Sequence, residues 1–296
     1  MILSGRTQRP RPTARALAAL LSWALVLTAG TASATPPKTG SMVFTAKDDP
    51  APAPGTFRSM VPSAWLETQG AQTYAQVLGA ASRAHRLEPA SNARVIQARE
   101  ILQRLVPYAL KWNDRARNWK WEVNIVRSRD INAFCLPGGK IVINTGMLER
   151  LKLNNDETAL LMSHLVAHAL REHARARIGE QQTVAHPNGA LTDRWSAADI
   201  AAQLVGMRYG SSDETEADVI GADIASRAGF DPRAGLVLWQ KVDWIGRRQR
   251  LPFTLAHPLS ARRLADLKKR QRDMLPLYAK AKNTTVARLP PYRPGR

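Results

Sequence analysis

The sequence predicts an α+β fold, mainly helical, with one central helix and a small antiparallel sheet or hairpin beside it. Three observations predict it. Apolar residues recur at three- and four-residue spacing through several long stretches, which is the period of a helix. One of these, 155–178, is apolar around most of its circumference, as a buried central helix is. Between 121 and 144 the pattern changes to runs rich in β-branched residues, broken by Pro137-Gly138-Gly139.

The chain has 296 residues, 44% of them hydrophobic and 23% charged. That suits a globular protein with one good-sized core plus appendages, or at most two small domains. Its N-terminus reads as an address. Arg6, Arg9, Arg11 and Arg15 precede the uncharged run 16–29, ALAALLSWALVLTA, and then Ala32-Ser33-Ala34. A basic start, an apolar run and a small-x-small site are the three parts of a secretory signal peptide, so residues 1–34 are expected to be removed on export. The apolar run is also shorter than the ~20 residues of a spanning helix. Residues 35–60 are rich in Pro, Gly, Ser and Thr and read as a flexible lead-in.

Helices are expected at about 65–87 and 92–111, the second from Val95, Ala98, Ile101, Leu102, Leu105, Val106 and Ala109. Strands follow at 121–126, 132–136 and 140–144. Asn154 and Glu157 stand three apart, as in a capping box, at the head of the central helix. Residues 179–210 give little pattern beyond a short helix near 196–206. A helix at 213–228 stops at Gly229, and Asp231-Pro232 starts the next. A last helix, 259–273, is basic. With 61–275 as the folded domain, 276–296 is left as a basic, Pro-rich tail.

The net charge is +19, and removing residues 1–34 takes away four arginines and no acid, leaving +15. Such a protein is drawn to anionic surfaces, and a peripheral contact with an anionic membrane is one expectation; no nucleic acid partner is expected. A single cysteine, Cys135, excludes an intramolecular disulfide and argues against a thiolate zinc cluster. It reads as a small buried hydrophobe on the sheet.

The chemistry lies on the central helix and on the helix at 213–228. His164 and His168 are four apart, so both imidazoles stack on one face and reach one metal ion. His173 is nine residues from His164, about half a turn out of phase, and is set aside. Glu214 and Asp218 are also four apart, within a cluster of Asp213, Glu214, Glu216 and Asp218 that is unusual in so basic a chain. Two histidines with one carboxylate form a known catalytic zinc set. A second carboxylate one turn on can accept the other N–H of a zinc histidine and fix its orientation.

Four segments now carry a resemblance: 121–148 (WEVNIVRSRDINAFCLPGGKIVINTGML), 154–179 (NNDETALLMSHLVAHALREHARARIG), 213–232 (DETEADVIGADIASRAGFDP) and His257-Pro258. In this order they resemble the gluzincin zinc metallopeptidase family of HtpX and the CAAX prenyl protease, in particular its periplasmic LoiP- and YcaL-like branch. The resemblance spans roughly residues 61–275. It implies a gluzincin-type domain and one Zn2+ per chain, held by His164, His168 and Glu214. Asp218 would support a zinc histidine. His257 would lie near the metal, where it stabilises an oxyanion or fills the open position. Lys140, Ile141, Val142, Ile143 and Asn144 would form the edge strand along which a peptide lies.

One residue departs from the family motif. HExxH reads here His164-Leu165-Val166-Ala167-His168, so Leu165 stands where the general-base glutamate belongs. Leucine neither accepts nor donates a proton, although the metal ligands are intact. Glu157, Glu172 and Glu216 are not placed by spacing to replace it, and His257 is the remaining acid–base group. The expected function is therefore an exported, periplasmic zinc-metallopeptidase-family protein, related to endopeptidases of envelope protein quality control and catalytically impaired. The alternatives are a zinc-stabilised pseudopeptidase that holds extended or unfolded envelope polypeptides, and a basic binder of anionic envelope polymers.

Overall fold

A computed structural model describes residues 56–185 and 196–295. The expected signal peptide and most of the lead-in lie outside the described residues. After one helical turn at Thr56–Ser59 come α1 (Ser63–Arg83) and α2 (Ala93–Ala109). The strands are β1 (Glu122–Val126), β2 (Ala133–Leu136) and β3 (Lys140–Asn144). They lead into α3 (Thr145–Arg150), the central α4 (Asn155–Leu170) and α5 (His173–Ala185). α6 (Ala197–Val205), α7 (Ser211–Arg227), α8 (Arg233–Gly246), α9 (Pro252–Ala256) and α10 (Ala261–Ala281) complete the chain of helices. The fold is mainly helical with one small sheet, as the sequence predicts.

The sheet runs β1-β3-β2. β2 and β3 form the expected antiparallel hairpin, with Ala133 opposite Ile143 and Leu136 opposite Lys140. Its turn needs glycine twice, since Gly138 and Gly139 have φ of 82° and 75°. A Cβ on Gly139 would also sit 2.5 Å from the Trp121 ring. β1 joins β3 in parallel, so the sheet is mixed. The crossover passes through the loop 127–132.

This order corrects one site expectation. Lys140–Asn144 is the middle strand, hydrogen-bonded on both sides, and has no free edge for a peptide. The outer side of β1 is partly covered, because Glu88 N–H donates to Ile125 O (3.0 Å) and Arg127 N–H to Arg86 O (2.6 Å). Among the described residues, β2 is the strand paired on one side alone.

The central helix starts as expected. The Asn154 side chain accepts from the Glu157 N–H, and the Glu157 carboxylate accepts from the Asn154 N–H. Every residue from Glu157 to Leu170 is buried. The helix does not continue to 178, however. It stops at Leu170, and Glu172, at φ 52°, turns the chain before α5 begins at His173.

α7 packs along α4, and Gly221 sets how closely. A Cβ there would lie 2.8 Å from the His164 backbone nitrogen. Glu214, Asp218 and Gly221 fall at i, i+4 and i+7, one stripe of a helix, so the residue that permits close approach also aims both carboxylates at α4.

The tail also differs from the reading. α10 runs through Pro276 to Ala281, beyond the expected boundary at 275. The segment after it docks on the head of α4: the Gly295 N–H donates to Glu157 (3.2 Å), the Asn154 side chain donates to Arg293 O (3.0 Å), and Lys241 Nζ donates to Gly295 O (3.0 Å). Pro276 is accommodated inside α10, and Pro290, Pro291 and Pro294 leave the chain after it free to pack in extended form.

Candidate metal centre

α4 brings His164 and His168 to one face, one turn apart, with their Nε2 atoms 3.1 Å from each other. Glu214, in the first turn of α7, places Oε1 3.2 Å from His168 Nε2 and Oε2 3.6 Å from His164 Nε2. His257, between α9 and α10, places Nδ1 3.2 Å from His164 Nε2 and 3.0 Å from Glu214 Oε1. His164, His168, Glu214 and His257 thus form a buried group able to hold a metal ion. Ligands ~2.0–2.2 Å from a tetrahedral zinc stand ~3.3–3.6 Å apart, close to the spacings here. The donor set therefore fits such an ion, and it offers four protein donors rather than three.

The surroundings orient each donor. His164 Nδ1 lies 3.0 Å from Asp218 Oδ1, which leaves Nε2 for the cluster. Arg263, buried at the head of α10, forks onto Asp218 (Nε–Oδ2 2.5 Å, Nη2–Oδ1 2.8 Å) and onto Glu214 (Nη1–Oε2 2.6 Å). Its guanidinium lies over the Trp239 ring, 3.9 Å from the centroid. Nothing in the local sequence marks this arginine out from its neighbours in a basic helix; only the packing of α10 against α7 does.

His173 contacts the centre after all. The turn at Arg171-Glu172 resets the helical phase that put it half a turn away. Its Nδ1 is 2.9 Å from His168 Nδ1, and its Nε2 is 2.7 Å from Glu216 Oε2. Glu216 is held in turn by Arg171 Nε at 2.6 Å. With His168 Nε2 facing the cluster, its Nδ1–H donates to His173 Nδ1, and His173 then donates Nε2–H to Glu216. Glu216 does face away from the cluster, as its spacing indicates, yet it is buried and supports a ligand through His173.

Protonation states match a metal site. Burial lowers the pKa of His164 and takes that of His168 well below its ordinary value, so both rings are neutral. Burial alone would raise Glu214, but His257 beside it holds its carboxyl well below the ordinary range. Burial likewise opposes the ionisation of Asp218 and is outweighed by Arg263. Neutral imidazoles beside an ionised carboxylate are the forms that bind metal.

The centre is enclosed. His164 and His168 are 2% exposed, His257 1% and Glu214 0%. Tyr209 lies over His168, ring centroids 3.9 Å apart, and 5.3 Å from His257. Its backbone N–H donates to Ala256 O (3.0 Å), tying it to the residue before His257. Trp239 packs edge-on to His164 at 5.0 Å, and Phe253 lies 4.7 Å from His257. Tyr209 comes from the stretch that gave the least pattern in sequence.

Leu165 is 1% exposed and belongs to the main apolar core. Cys135, on β2, is buried with its thiol pushed up to about 12 by desolvation. With His168, Ala169 and Tyr209 it lines a small cleft beside the centre. Lys140 is engaged elsewhere, with its Nζ on Glu122 and Lys120 O.

Comparison with known proteins agrees with this arrangement. The family profile described as Peptidase family M48 matches residues 96–271. Mitochondrial metalloendopeptidase OMA1 of Schizosaccharomyces pombe is 28% identical over 189 residues, 60% of this chain and 53% of that protein. OMA1 of Arabidopsis thaliana is 31% identical over 147 residues, 48% of this chain and 30% of that protein. The beta-barrel assembly-enhancing protease of Escherichia coli strain K12 is 30% identical over 174 residues, 53% of this chain and 36% of that protein. The chain spans about half or less of the length of these curated relatives. The matched region holds the central helix, the sheet, α7 and His257 together, and on that match this chain belongs to peptidase family M48.

Proposed function

We propose that this chain is an exported pseudopeptidase, a zinc-stabilised module that holds extended envelope polypeptides without cutting them. One observation carries the reading: Leu165 occupies the general-base position beside a centre with four protein donors. Bound there, a zinc ion would supply Lewis acidity and a fixed positive charge. The chain's own residues do the rest. His164, His168 and Glu214 would hold the ion, Asp218 orients His164, and His257 would be a fourth donor where a catalytic site keeps a position open. Leu165 moves no proton, and a missing positioned base costs ~10²–10⁴ in rate. The outer side of β2, next to the cleft at His168, is where an extended peptide would add as a strand. The signal-like N-terminus is what supports export and a periplasmic location.

The competing reading is a working endopeptidase, the activity named for the relatives. It is favoured by the intact His164, His168 and Glu214. Metal content and cleavage of an unfolded protein, measured side by side, separate the two. The native chain should carry about one zinc and cut nothing. Leu165→Glu should gain little alone, because His257 still fills the fourth position, and the Leu165→Glu/His257→Ala pair should gain cleavage that a chelator stops. Chelator-sensitive cleavage by the native chain would instead establish the endopeptidase.

A further inference from the structure

The connection from the end of α8 through α9 carries an unusual surface. Trp244 is 60% exposed, the most exposed of the large hydrophobic side chains among the described residues, and Leu255 is 40% exposed. Gly246 lies against Thr254 and Leu251, so the end of α8 and α9 form one compact turn. Arg247, Arg248 and Arg250 are all exposed within it. Arg248 lies 3.9 Å over the Trp244 ring and donates to Trp244 O (2.6 Å). Arg247 pairs with Asp243 at 2.7 Å, while Arg250 has no acidic partner among the described residues. From Arg247 to Lys269 the sequence holds one acid, Asp266, and Arg270 engages it at 2.6 Å.

We propose that this turn is an interfacial anchor that seats the protein on an anionic phospholipid surface. Tryptophan is the side chain best suited to the headgroup layer, with an apolar body and one N–H at its rim. Arginines beside it meet the negative potential of the lipid, each contributing about 1 kcal/mol, or roughly five-fold in affinity. Charge complementarity selects this occupant over a second copy of the chain, whose own arginines would repel. The exposed Trp244 and Leu255 select it over a soluble polyanion, which has no use for apolar tips. No spanning helix is needed, and among the described residues none is long and apolar enough to cross a membrane. The anchor is independent of the metal reading, since it uses none of the donor residues.

Flotation with vesicles tests it, using the full purified chain. Vesicles of phosphatidylcholine alone are compared with vesicles in which a third of the lipid is phosphatidylglycerol. The native protein should bind the anionic vesicles and not the neutral ones, with tryptophan fluorescence quenched by brominated lipid. Arg248→Glu/Arg250→Glu should weaken binding at least about twenty-five-fold, at roughly five-fold per arginine. Trp244→Ala should abolish most of the quenching. Arg127→Glu/Arg150→Glu, the same charge change on exposed arginines elsewhere, should bind as the native protein does. These are surface positions, and matching thermal melts verify that each variant is folded. Equal losses in the two double variants would overturn the anchor in favour of net charge alone. So would an absence of vesicle binding, or Trp244→Ala binding unchanged while a soluble polyanion displaces the protein.

Discussion

At His168 both ring nitrogens are committed, Nε2 to the cluster and Nδ1 to His173. A ligand whose second nitrogen is held keeps its tautomer and its aim, and losing such a partner typically weakens metal binding ~10–100-fold. His173→Ala should therefore lower zinc affinity by that factor, read by competition with a metal-binding dye, with the helical circular dichroism retained. His173→Asn, which keeps a polar group facing the His168 ring, should recover part of it. An affinity unchanged in His173→Ala would show that the chain from Arg171 through Glu216 is structural only. This residue also marks a limit of sequence reading. His164 and His168 were legible because four-residue spacing on a continuous helix fixes their mutual position. His173 was not, because one residue at positive φ, Glu172, breaks the phase on which the spacing argument depends. Tyr209 and Arg263 reach the centre from other elements, and no local period announces that.

Among the elements, the α4–α7 pair decides whether the carboxylates meet the histidines. Gly221→Ala would put a Cβ 2.8 Å from the His164 nitrogen, a backbone atom that cannot yield without moving a ligand. Overpacking of this kind costs ~1–3 kcal/mol. The variant should melt lower than the native protein and carry less zinc. Gly235→Ala is the fitting comparison, since its Cβ would meet the Leu160 side chain at 3.4 Å, an atom that can shift. It should leave zinc content unchanged. Equal effects from both would mean that the close approach at Gly221 has no special role. The elements themselves were largely readable, down to the Asn154–Glu157 capping box and the bounds of β3. Their order in the sheet was not. Periodicity identifies a strand but says nothing of its neighbours, so Lys140–Asn144, an edge by expectation, is the centre of the sheet.

Across the whole molecule, the centre ties together segments far apart in the chain: α4 at His164 and His168, α7 at Glu214, and the α9–α10 turn at His257. An ion bound by all of them, and by none of the unfolded states in the same geometry, stabilises the fold by mass action, about 4 kcal/mol when free zinc exceeds its dissociation constant a thousandfold. For a domain of this size a kilocalorie corresponds to roughly 2–4 °C. Chelation should therefore lower the melting temperature by about ten degrees, and added zinc should restore it. His257→Ala should shrink this difference, because one donor and one of the tied segments are lost. Glu157→Gln, at the head of α4 where the C-terminal segment docks, should lower the melting temperature with and without zinc alike. A zinc-dependent shift that His257→Ala left intact would mean three protein donors suffice, and with them the open position that a hydrolytic site requires.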